Sequence, residues 1–113
     1  MRCTGIFTPV HLIAMSRKLD RDNPRLAARL YKAFEQAKEL AYADLLNDRG
    51  GFSVVYLREH VEDQFERWGD PFKYGISANR STIDTYIQYN LEQGHIKERL
   101  TDAQLFAAGT LDT

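Results

Sequence analysis

His11 is the side chain in this sequence best suited by type and setting to move a proton near neutral pH. It sits in the short apolar run VHLIAM, residues 10–15, where desolvation favours the neutral ring and a neighbouring carboxylate would favour the cation. A ring so placed is either a satisfied core group or a working one, and the run alone leaves both open. His60 stands among Glu59, Glu62, Asp63 and Glu66. The HExxH spacing that would put two imidazoles on one helix face is absent, so no metal is expected. Cys3 has no second thiol with which to form an internal disulfide or a Cys-based zinc site, which fits a reducing compartment. No GxGxxG, P-loop, GxSxG or CxxC pattern occurs, and short motifs therefore name no reaction.

Composition bounds the partners. Fifteen Lys and Arg against sixteen Asp and Glu leave a formal net charge of −1, so no sequence-wide basic field exists to draw in nucleic acid or anionic lipid. The balance of 43% hydrophobic, 27% charged and 12% aromatic residues is that of a globular chain. No apolar run approaches the roughly 20 residues of a bilayer-spanning helix, and the N-terminus lacks a secretory pattern. Read from Met1, the chain is expected to be cytoplasmic, without membrane or nucleic-acid partners and without a cofactor.

The elements that must position any site are mostly helices. Residues 23–46 read as one long amphipathic helix, Asn23 capping it and Pro24 pre-setting its first turn. Its inward stripe is Leu26, Ala27, Leu30, Tyr31, Phe34, Ala37, Ala41 and Leu45, with Arg29, Lys32, Glu35, Gln36, Lys38 and Glu39 largely outward. Ahead of it, residues 10–15 read as a buried strand and 16–22 as a polar connection. Beyond the turn at 47–51, residues 52–67 are predicted to form a second helix with a solvated acidic face. An aromatic loop follows over 68–76. Asn79 caps a third helix over 80–93 that Gly94 ends, and Thr101 with Gln104 reads as the capping box of a short last helix.

Two stretches carry a resemblance. PVHLIAMSRKLDRDNPRLAARLYKAFEQAKEL resembles the crossover strand and following helix of bacterial substrate-binding-protein folds: a strand, a basic pair, a polar spacer, Asn-Pro, then an Ala-rich helix. YGISANRSTIDTYIQYNLEQGHIKERLTDAQLF is similar to the C-terminal end of the 4,5-dihydroxyphthalate decarboxylase family, in which Tyr-Gly-Ile, Asn-Arg, and a final Gln-Gly, Arg-Leu and Leu-Phe recur in this order. Arg25 and the pair Phe72-Lys73 stand where family members commonly carry Trp and Trp-Pro. The resemblance implies an α/β class. Residues 1–113 would be a single C-terminal segment of a type II periplasmic-binding-protein-like fold with two lobes, mostly helical here, with a short strand near residues 10–15. The missing N-terminal lobe or upstream portion would then be a partner.

The implied activity is non-oxidative loss of CO2 from 4,5-dihydroxyphthalate or a close aromatic dicarboxylate, giving protocatechuate in phthalate catabolism, with the isolated chain inactive. Such a reaction needs a proton for the ring carbon that loses its carboxylate, a polarised phenolic oxygen, and an anchor for the second carboxylate. His11 matches a histidine of the family pattern and is the catalytic candidate, as acid or phenol partner. Arg80 is the carboxylate anchor, with Tyr74, for a ring hydroxyl, and Asn79 as further substrate-binding candidates. Each has a plainer alternative: core packing for Tyr74, and a helix-start contact with solvent or a neighbouring loop for Arg80. The rival function is a transporter's solute-binding protein without catalysis, since the first stretch is equally at home there. A third is a stand-alone helical interaction domain, which would require the long helix to find its full apolar partner inside this chain.

Overall fold

The computed structural model describes Ile6 and residues 11–47 and 55–113. In chain order the helices are α1 (Arg17–Asp22), α2 (Leu26–Leu46), α3 (Leu57–Trp68), α4 (Arg80–Glu92) and α5 (Asp102–Leu105), with 3₁₀ turns at Ser77–Asn79 and Ala108–Thr110. No strand occurs among the described residues, so the expected α/β class is replaced by a helical one. The expected strand is replaced too: Val10 lies outside the described residues, and residues 11–15 are irregular. Leu12 and Ile13 are 84% and 63% exposed rather than buried. A strand is held by the ladder of a neighbour, and no other described segment supplies one.

Residues 16–22, expected as a connection, form α1. Ser16 is extended and its Oγ accepts the Leu19 N–H at 3.2 Å, supplying an N-cap. Asn23 closes this helix instead of opening the next. Its N–H donates to Leu19 O and Asp20 O, and its Nδ2 donates to Leu19 O at 3.2 Å. The α2 ladder starts immediately after, with the Leu26 N–H donating to Asn23 O at 2.8 Å.

The larger correction concerns the face that α2 covers. Of its predicted inward stripe only Ala27 is buried; Leu26, Tyr31 and Leu45 are half-buried, whereas Leu30, Phe34, Ala37 and Ala41 are exposed. Lys38 and Glu35, predicted to face water, have side chains only 13% and 27% exposed. The helix is thus turned so that Lys38 and Tyr42 are covered while much of the apolar stripe is not.

The chain falls into two compact units, Met1–Tyr31 with Tyr74–Thr113, and Lys32–Lys73. In the first, Ala27, Ile76 and Ile87 are the buried apolar residues. Residues 75–77 are fastened to Thr113: the Ser77 N–H donates to Thr113 O at 2.7 Å, and the Ile76 N–H to Thr113 Oγ1 at 3.4 Å. Gly75 permits this with φ +94°, and a Cβ there would lie 3.0 Å from the Thr113 carbonyl carbon. At Gly94 (φ +73°) α4 turns out of its helix, the Gly94 N–H donating to Leu91 O at 3.1 Å. The predicted capping box is present, Gln104 Oε1 accepting the Thr101 N–H at 2.8 Å.

The second unit holds most of α2 and all of α3. The expected helix over 52–67 appears as α3; residues 52–54 lie outside the described ones. Tyr42 and Phe65 meet edge to face with centroids 4.9 Å apart, and Gly69 (φ +65°) terminates α3 by donating its N–H to Phe65 O at 2.8 Å. The predicted solvated face of α3 carries exposed i,i+4 pairs, Arg58–Glu62 at 3.0 Å and Asp63–Arg67 at 2.6 Å. Among the described residues no helix is long and apolar enough to cross a membrane.

Candidate functional site

Three of the four residues singled out from the sequence, Tyr74, Asn79 and Arg80, lie on the segment that runs from Tyr74 through the 3₁₀ turn into α4. Asn79 does not cap α4 with its side chain. Its Nδ2 instead reaches back to donate to Gly75 O at 2.8 Å, tying the turn shut. Because Gly75 and Ile76 sit against Thr113, the start of α4 is held from both sides in the same unit. Tyr74, at the edge of this segment, is 39% exposed.

Arg80, the first residue of α4, faces α5. Its Nη1 and Nη2 donate to Asp102 Oδ1 and Oδ2 at 3.0 and 2.6 Å, the parallel two-bond geometry in which a guanidinium matches a carboxylate. Asp84 Oδ1, one turn along α4, lies 3.6 Å from Arg80 Nη1 and accepts from Arg99 Nη2 at 2.9 Å. Two cations and two carboxylates therefore alternate, Arg99, Asp84, Arg80, Asp102, along the first unit. The Asp102 hydrogen bond, outweighing partial desolvation, pushes the Arg80 guanidinium above its ordinary value, with smaller contributions from the charges of Asp102 and Asp84. The same bond draws the Asp102 carboxyl below the usual carboxylate range. Arg80 thus carries a permanent positive charge, and the guanidinium's second pair of donors lies along its side edge, the Nε–H together with the remaining N–H of one of the two nitrogens that Asp102 engages.

His11 is exposed, in the irregular segment ahead of α1. The buried strand expected to carry it is not formed over residues 11–15. No hydrogen bond or ion pair among the described residues links it to Tyr74, Asn79 or Arg80.

A polar cluster not foreseen from the sequence sits in the second unit. Lys38 Nζ lies 2.8 Å from Asp70 Oδ2 and 3.2 Å from Glu35 Oε2, and donates to Phe72 O at 3.2 Å. Asp70 Oδ1 accepts the Tyr42 hydroxyl and the Phe72 N–H, each at 2.8 Å. Burial would lower Lys38 and raise Asp70. The hydrogen bonds outweigh it, so Lys38 titrates above and Asp70 below their ordinary values. The local signal was present in Gly69-Asp70-Pro71, since an Asp that bonds the amide two residues on makes an Asx-turn. Its partners on α2, Lys38 and Tyr42, were hidden by distance along the chain.

Among the described residues there is no group of three or more His, Cys, Asp or Glu able to hold a metal ion. The arrangement at Arg80 is suited to binding a carboxylate, and Arg80 already does so with one of the chain's own.

No protein-family model matches this chain, and no solved structure matches it. It aligns with the 4,5-dihydroxyphthalate decarboxylase of Comamonas testosteroni at 25% identity over 111 residues, which is 96% of this chain and 33% of that protein. The chain spans about a third of the length of the curated relative it matches. This is a distant similarity to a decarboxylase, extending along nearly the whole of the chain.

Proposed function

We propose that this chain is one part of an enzyme that removes a carboxylate as CO2 from 4,5-dihydroxyphthalate or a close aromatic dicarboxylate, giving protocatechuate from the former. The observation that carries this reading is the alignment with a 4,5-dihydroxyphthalate decarboxylase along 96% of the chain. In the reaction the C–CO2⁻ bond breaks, its electron pair stays on the ring carbon, and a proton takes the vacated position. Arg80 anchors the carboxylate that is retained, through the Nε edge of a guanidinium whose plane Asp102 holds. Asn79, fixed by its bond to Gly75 O, and Tyr74 contact the ring substituents. His11 supplies the proton or polarises a phenolic oxygen. The remainder of the cleft comes from polypeptide that the matched relative has and these residues do not include, and the 113-residue chain alone is inactive.

The test is a chimera in which these residues replace the segment of the Comamonas testosteroni protein with which they align. Incubated with 4,5-dihydroxyphthalate, it releases CO2 and forms protocatechuate; the 113-residue chain alone does neither. A folded chimera that binds the substrate without releasing CO2 contradicts the proposal.

A further inference from the structure

Asp84 is shared between two arginines of the first unit. Its Oδ1 accepts from Arg99 Nη2 at 2.9 Å and lies 3.6 Å from Arg80 Nη1, the second distance too long for a good hydrogen bond. Arg80 commits both terminal nitrogens to Asp102, at 3.0 and 2.6 Å. Yet Asp84 stands one turn beyond Arg80 on α4, at the i,i+4 spacing where side chains of opposite charge meet, so it could take Arg80 for itself. Arg99 occupies it instead, brought from fifteen residues further along the chain. The end of α4 sets that path: Gly94 takes φ +73°, and the His95 and Ile96 N–H groups both donate to Asn90 O, at 2.9 and 3.3 Å. The chain is thereby turned back so that Arg99 reaches the second turn of the helix. Arg99 makes no other side-chain hydrogen bond or ion pair among the described residues.

We propose that Arg99 is a positioning residue for Arg80: by occupying Asp84 it keeps that carboxylate from drawing Arg80 off Asp102 and from repelling an incoming dicarboxylate. Charge gives the second effect its sign. Arg99, Asp84, Arg80 and Asp102 together are neutral, and without Arg99 the group carries one net negative charge beside a dianion. A carboxylate on the side edge of Arg80 lies within the Debye length of roughly 8–10 Å from Asp84, so the repulsion reaches it. The four side chains are 36–51% exposed, which screens the effect and limits it to the size of a surface ion pair. The identity of the dicarboxylate rests on the decarboxylase reading; the competition between Asp84 and Asp102 for Arg80 does not.

Nitrogen-15 NMR of the 113-residue chain reads that competition without substrate. Rotation of the Arg80 guanidinium about its Nε–Cζ bond is slow while Asp102 holds two of its nitrogens, and Arg99→Gln is expected to speed it. Adding Asp84→Asn to Arg99→Gln restores the slow rotation, because the competing charge is gone. In the chimera, Arg99→Gln raises KM for 4,5-dihydroxyphthalate about two- to fivefold, the range of an exposed charge pair, with kcat nearly unchanged. Added salt shrinks the difference, and Asp84→Asn again rescues it. Lys97→Gln, the same change in charge on an exposed side chain two residues away, leaves both readouts where they were. Unaltered Arg80 rotation in Arg99→Gln, a KM increase that Asp84→Asn does not rescue, or an equal increase in Lys97→Gln each overturns the inference. A chimera inert to the dicarboxylate contradicts the decarboxylase reading alone, and the rotation of Arg80 then decides the role of Arg99.

Discussion

Arg80 and Asp102, the first residues of α4 and α5, clasp each other through two parallel hydrogen bonds of 3.0 and 2.6 Å. The guanidinium assigned to a substrate carboxylate therefore already holds an internal one, and Asp102 fixes its plane. Asp102→Asn keeps the shape and removes the charge. In the chimera this substitution is expected to raise KM for 4,5-dihydroxyphthalate several-fold with a smaller effect on kcat, because a loosened Arg80 binds less well without leaving the site. Arg80→Lys, which keeps a charge but loses the fork, is expected to raise KM further. Steady-state kinetics on the same preparations check both, and unchanged KM in Arg80→Lys removes Arg80 from the site.

The Lys38–Asp70 pair predicts a stability profile. Asp70 titrates below 3.8 in the folded chain, so its contribution is present above that pH and is lost as pH falls through the folded value. Lys38 titrates above 10.5, so its contribution is full below that pH and is lost as pH rises through its folded value. Denaturant melts of the chain are expected to show a plateau between these limits for this pair. Asp70→Ala, which removes the carboxylate acceptor of Lys38, the Tyr42 hydroxyl and the Phe72 N–H and leaves Lys38 with Glu35 and Phe72 O, is expected to cost about 1–3 kcal/mol at neutral pH. Asp70→Asn should also flatten the acid-side fall, and an unaltered acid slope would show that the pair does not set it.

Gly75 should resist substitution. Its φ of +94° and the Thr113 carbonyl carbon 3.0 Å from where a Cβ would stand make Gly75→Ala strained twice over. The expected loss is about 1–3 kcal/mol, read by thermal melting. Gly69→Ala, with the open space around its Cβ position but a φ of +65°, should cost less.

His11 is exposed, so a role in folding is small and a role in chemistry is separable from it. His11→Gln in the chimera is expected to lower turnover by about 10²–10⁴-fold, the range of general acid–base groups, with the melting temperature nearly unchanged. Intact turnover would remove His11 from the mechanism.

These residues also mark how far the sequence was legible. Helical spacing located α2, α4 and the capped start of α5, because periodicity and capping are local. It misplaced Asn23 because Asn-Pro reads equally as the start of one helix or the close of another, and Ser16, with its bond to Leu19, had already begun the earlier one. The strand expected over 10–15 is not formed over the described residues 11–15, since a strand depends on a neighbour that composition does not reveal. The side of α2 that is covered was misjudged for the same reason. Spacing identifies an apolar stripe, but whether that stripe packs inside this chain or outside it depends on what else is present. At the candidate site, Asn79 and Arg80 were visible as residue types, while Asp102 and Asp70, the carboxylates that engage Arg80 and Lys38, came from distant positions that only the fold joins.

The most direct measurement is CO2 release from 4,5-dihydroxyphthalate by the chimera, followed together with protocatechuate formation. The account predicts stoichiometric CO2 and protocatechuate, abolished by Arg80→Ala and absent from the 113-residue chain alone. A folded chimera that binds the dicarboxylate tightly and returns it unchanged would contradict it.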